Sequence, residues 1–99
     1  MELQIKAINF EATEKLQAFV EKKAAKLEKQ CDEVQKVEVQ LKVVKPQTAV
    51  NKTVTLEVKV PGKSFFTEKT TDTFEQGVDD CIDAMKIQLV KYKEKLREH

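Results

Sequence analysis

Residues Thr13–Gln30 read TEKLQAFVEKKAAKLEKQ. At about 100° per residue from Leu16, the side chains of Phe19, Val20, Ala24 and Leu27 fall within roughly 80° of it, one apolar stripe on a helix. Such a stripe has to cover the apolar face of another layer. Thr13 has the side-chain oxygen an N-cap needs, and Asp32–Glu33 end the pattern. The fold therefore depends on what flanks this helix.

On both sides the apolar spacing changes to two. Leu3, Ile5 and Ala7 alternate with Gln4 and Lys6, predicting a strand over 2–8, with Asn9–Ala12 as the turn into the helix. Val37, Val39, Leu41 and Val43 alternate with Glu38, Gln40 and Lys42. After a polar connection over Lys45–Lys52, marked by Pro46, the residues Val54, Leu56, Val58 and Val60 predict a third strand. It stops at the turn dipeptide Pro61–Gly62. Ser64–Lys69 fits a fourth strand, with Phe65–Phe66 open as to which faces inward. Asp72-Thr-Phe-Glu75 has the form of a capping-box start at Asp72. Phe74, Val78, Cys81, Ile82, Met85, Leu89, Tyr92 and Leu96 then keep helical spacing.

The order β-α-β-β-β-α makes the chain an α+β fold, expected as one domain over 1–99. The strand–helix–strand unit calls for a right-handed crossover between parallel strands, and the next two connections are short enough for antiparallel hairpins. Strands apolar on one face place both helices on that face of a four-stranded mixed sheet. Following direction through the four strands, the two helices run parallel and end at one edge.

The charges are sorted as well. Lys15, Lys22, Lys26 and Lys29 occupy one flank of the first helix at roughly 220–280° from Leu16, while Glu14, Glu21 and Glu28 occupy the other. No glutamate of this helix has a lysine three or four positions later, the spacing that stabilises isolated helices. The last helix is sorted along its length. Glu68–Asp83 carries six acids against Lys69, and 84–99 carries Lys86, Lys91, Lys93, Lys95 and Arg97 against Glu94 and Glu98. Acid-first, base-last charge also complements a helix dipole. With both basic ends at one edge, however, a net charge of only +1 conceals a local surface suited to a polyanion.

Several function classes drop out. Apolar residues make up 40% of the chain, with no run near membrane-span length and no signal-peptide core at the start, so a cytoplasmic location is expected. Cys31 and Cys81 lack metal-ligand spacing and read as small core hydrophobes; the only histidine is His99. There is no phosphate-binding glycine loop and no internal histidine to act as a base, so neither enzyme nor cofactor is expected. Asp79, Asp80 and Asp83 read as a solvated helix face. Phe10, Phe19, Phe74 and Tyr92 are placed to pack, not to form a base-stacking platform, which favours contact with a structured RNA through phosphates.

Met1–Lys29, the stretch VEVQLKVVK (Val37–Lys45) and the ending QLVKYKEKLREH (Gln88–His99) together resemble the short form of the ribosome hibernation promoting factor family, which includes the ribosome-associated inhibitor protein Y. The resemblance runs over essentially the whole chain. It implies a fold like that of double-stranded-RNA-binding domains. It also implies binding to the ribosomal small subunit and its 16S rRNA, in the channel that otherwise holds messenger and transfer RNA. Idle ribosomes would thereby stay inactive in stationary phase or stress. The implied protein is a monomer off the ribosome, with a second ribosome-pairing factor as a further candidate partner; the C-terminal dimerisation domain of the long forms is not expected. Lys23 and Lys26 match basic positions of the family's first helix, and Lys91, Lys93 and Lys95 match its second. With the charge pattern, the expected RNA-binding set is Lys22, Lys23, Lys26, Lys29, Lys86, Lys91, Lys93, Lys95 and Arg97. The chain departs from the family at Ala84 and Ile87, where basic residues are common, and at Glu75, where a tyrosine is common. Two other readings stay open: a module docking an acidic partner protein, and a free double-stranded-RNA binder.

Overall fold

The computed structural model describes residues 1–44 and 50–97; part of the expected polar connection over Lys45–Lys52, with Glu98 and His99, lies outside the described residues. The element order is β1 (Glu2–Ile8), α1 (Glu14–Gln30), β2 (Lys36–Val43), β3 (Lys52–Val60), β4 (Lys63–Thr71) and α2 (Phe74–Arg97). The sheet order is β1-β2-β3-β4, with β1 and β2 parallel and the other two pairings antiparallel. The expected mixed sheet is present.

The register shows why alternation was a dependable guide. Leu3, Val37, Val58 and Phe65 form one row across the sheet, and Ile5, Val39, Leu56 and Thr67 form the next. Both rows point at the helices. Slipping one strand by a single residue would turn its valines to water. The register also settles Phe65–Phe66: Phe65 packs against the core beneath the helices, and Phe66 is 58% exposed on the helix-free face beside Glu57.

From α1, the residues Val20, Ala24 and Leu27 are buried; from α2, Phe74, Val78, Cys81, Ile82, Met85 and Leu89. Each fully buried Leu or Met stabilises by about 1.5–3 kcal/mol relative to exposure. Gly77 lets α2 approach β3, because a Cβ there would stand 2.7 Å from Val54 Cγ2.

One expectation needs correction. The α2 cap is Thr73, not Asp72: Thr73 Oγ1 accepts from the Gln76 amide at 3.2 Å, one residue later than expected, and the Gln76 side chain donates to Asp80 Oδ1 at 2.8 Å instead of closing a box. Leu96 lies in α2 as its spacing predicts, 46% exposed near the helix end. Thr13 caps α1 as expected, its Oγ1 accepting from the Leu16 amide at 3.1 Å.

Candidate nucleic-acid interface

The helices meet along a seam that fixes their direction. Lys23 pairs with Asp79 at 3.0 Å, and the Gln30 side chain donates to the Lys86 carbonyl at 3.0 Å. Both pairs are 56 positions apart, which two helices can satisfy only by running the same way. Lys93 closes the seam, its Nζ donating to the Gln30 carbonyl at 2.8 Å. A cation there satisfies a carbonyl that helix geometry leaves open at the C-terminus of α1 and complements its dipole.

These contacts divide the expected binding residues into two groups. Lys23 and Lys93 are half-buried, and each is engaged inside the protein; the Lys23 ammonium also lies 5.3 Å from the Phe19 ring centre. Lys22, Lys26, Lys29, Lys91, Lys95 and Arg97 are exposed. The ion pairs among the described residues are Lys23–Asp79 and Lys36–Glu2, so none of those six is paired there. Lys86 is half-buried, its carbonyl engaged by Gln30 and its side chain beside the groove between the helices.

That groove holds about 490 Å³ and is lined by Gln30, Lys86, Ile87, Val90, Lys91 and Glu94. Ile87 is 60% and Val90 45% exposed, an apolar floor between basic residues. Lys91 also lines a second hollow with Lys63, Phe65, Gln88, Tyr92 and Lys95. Lys91 is therefore the residue that makes the surface continuous. Lys63 was missed in the sequence, although its cue was present. The Pro61–Gly62 turn follows a strand running with the helices, which puts Lys63 at the edge where both helices end.

The surface offers cationic side chains for contact. Burial pushes both thiols above their ordinary pKa, against reactive thiolates; Cys81 Sγ lies 3.4 Å from the Val54 carbonyl and Cys31 Sγ 3.5 Å from Glu33 Oε2. Among the described residues no group of three or more His, Cys, Asp or Glu is placed to hold a metal. Unpaired ammonium groups over a wide, open surface suit a phosphate backbone. Of the three positions that depart from the family pattern, Ala84 is half-buried while Glu75 and Ile87 are exposed.

The family model described as Sigma 54 modulation protein / S30EA ribosomal protein matches residues 3–97. The chain is 36% identical over 99 residues to the ribosome hibernation promoting factor of Escherichia coli (strain K12), covering all of both chains. It is 30% identical over 95 residues to the protein of that name from Pseudomonas putida (strain KT2440), covering 96% of this chain and 89% of the relative. Among solved structures it is similar to a ribosomal subunit interface protein from Coxiella burnetii, with TM-score 0.81 and 22% identity over 95% of this chain and 99% of that one. The protein Y N-terminal domain of Thermus thermophilus gives TM-score 0.79 and 21% identity over 93% and 99%. At these identities the two structures speak for the fold alone.

Proposed function

We propose a role on the ribosome, from the premise that this chain belongs to the Sigma 54 modulation protein / S30EA ribosomal protein family. The chain binds ribosomes and inhibits translation, as a hibernation factor that keeps idle ribosomes inactive in stationary phase or stress. In finer terms, it docks on the small subunit against 16S rRNA, in the channel for messenger and transfer RNA. It acts by occupancy and not by catalysis. Residues 1–99 serve as a single ribosome-binding domain in the cytoplasm, monomeric off the ribosome, with a second ribosome-pairing factor as a further candidate partner.

The observation that carries this reading is the row of exposed lysines Lys22, Lys26 and Lys29 on α1, unpaired among the described residues, together with Lys86 and Lys91 of α2, which line the groove. Lysines that complete no contact within the protein remain available for phosphates, and each contact releases counterions on binding. Lys95 and Arg97 extend the row along α2, while Lys23 and Lys93 hold the two helices in place beneath it.

The test is sedimentation of a lysate on a sucrose gradient, followed by separated subunits. The chain is expected with small subunits and 70S particles, and recovery only at the top of the gradient would overturn the reading. Affinity should fall with salt at a log–log slope of about −0.7 to −0.9 per phosphate contact. A second reading, docking of an acidic partner protein, draws on the exposed Ile87 and Val90. Nuclease treatment separates the two, since it would release an RNA-bound chain and leave a protein-bound one attached.

A further inference from the structure

Lys63, Phe65, Gln88, Lys91, Tyr92 and Lys95 line a slot of about 180 Å³ where the β3–β4 hairpin meets the last turns of α2. Phe65 and Tyr92 meet edge to face in it, with ring centres 5.8 Å apart at 71°. The other aromatic pair, Phe10 and Phe74, is stacked at 4.7 Å with Phe74 buried. Tyr92, expected to pack and not to offer a stacking surface, does pack against the core together with Phe65, but both rings keep part of their surface in water. The Lys63 ammonium stands 5.0 Å from the Phe65 ring centre, and Lys63, Lys91 and Lys95 are all exposed and unpaired among the described residues. Packing alone does not call for three like charges around one aromatic pair.

We propose that this slot takes an unpaired nucleotide of RNA, its base against the Phe65–Tyr92 surface and its flanking phosphates on Lys63, Lys91 and Lys95. The inference rests on the ribosome-binding reading and deepens it by naming a single-stranded part of the partner. Every base has a π-face, so stacking on an aromatic side chain is tolerant of sequence. A base inside a duplex is already stacked on its neighbours, so a duplex offers this slot only phosphates. Lys63 gives up a weak contact with the Phe65 ring and gains a phosphate. Lys91 lines the groove between the helices as well, so one RNA backbone can pass from that groove into the slot.

The chain has one tyrosine and no tryptophan, so tyrosine ring resonances report on this slot alone. Hexauridylate should shift those resonances upfield to saturation, and an RNA duplex of equal length should not. By anisotropy of a fluorescein-labelled hexauridylate, Tyr92→Leu should weaken binding about tenfold, with Tyr92→Phe near wild type. The exposed Lys63→Ala, which does not touch the core, should weaken it about threefold. Unmoved resonances in a protein that still sediments with ribosomes overturn the slot and leave the ribosome reading intact. Equal response to duplex and single strand also overturns it. Resonances that respond in a chain that stays off ribosomes support the slot and overturn the ribosome reading.

Discussion

Lys22 and Lys23 are neighbours in the chain and belong to different regions of the molecule. Lys23 lies in the seam between the helices, paired with Asp79 and resting against Phe19. Lys22 lies on the outer strip with Lys26 and Lys29, exposed and unpaired among the described residues. One step along a helix, about 100°, separates a cation that joins two elements from one that joins none. Lysine content therefore says little about binding; which lysines remain after the fold has used its own says much more.

The strongest way to break this contrast is to reverse the strip. Changing Lys22, Lys26 and Lys29 together to Glu should lower ribosome affinity more than about 100-fold, because three charges are reversed toward a polyanion, a change of six units. Stability should hardly move, by no more than about 0.5 kcal/mol per site. Full co-sedimentation of this variant would reduce the strip to solvation. Gly77→Ala is the opposite case. Its Cβ would crowd Val54 Cγ2 at 2.7 Å and Thr71 Oγ1 at 3.1 Å, so a loss of about 1–3 kcal/mol is expected in denaturant melts, with ribosome affinity of the folded fraction unchanged.

Smaller effects sharpen the boundary. Lys93→Met keeps the aliphatic stem but removes the donor to the Gln30 carbonyl, and should cost about 1 kcal/mol of stability. Lys26→Met should leave stability alone and weaken ribosome binding instead. If both variants behave alike in both assays, seam and strip are not distinct. The smallest effect asked for is a coupling. A double-mutant cycle of Lys26→Ala with Lys91→Ala should show at least about 0.5 kcal/mol of non-additivity in small-subunit affinity if both touch one RNA. Strict additivity would divide the surface into two independent sites.

The elements were legible because each carries its period in a few residues. Val37–Val43 and Val54–Val60 alternate cleanly, and the register keeps every inward valine inward. Direction was legible too, since counting strands put both helix ends at one edge. The seam was not. A helical wheel drawn from Leu16 places Lys23 near the apolar stripe but cannot say that Asp79 stands opposite, because that depends on where the second helix lies. The α2 start was displaced by one residue because Asp72 and Thr73 both offer a capping oxygen, and only geometry selects Thr73. Leu96 kept the helical period of a core residue, and periodicity carries no information about where the sheet beneath it ends.

The parallel run of the helices has a consequence for kinetics. The molecule measures 50 × 23 × 18 Å, and the acid-rich opening of α2 is separated from its basic end by about 36 Å of helix, several Debye lengths at physiological salt. With a net charge of +1, the pull of a distant polyanion on the whole body is weak. Once one pole comes within about a Debye length of it, the torque on the body is not. The chain is thus expected to turn during approach so that its basic pole leads, while at contact the acidic pole is too far away, and too well screened, to oppose docking. This bias raises the fraction of collisions that arrive in a productive orientation, so ionic strength should slow association before it speeds release.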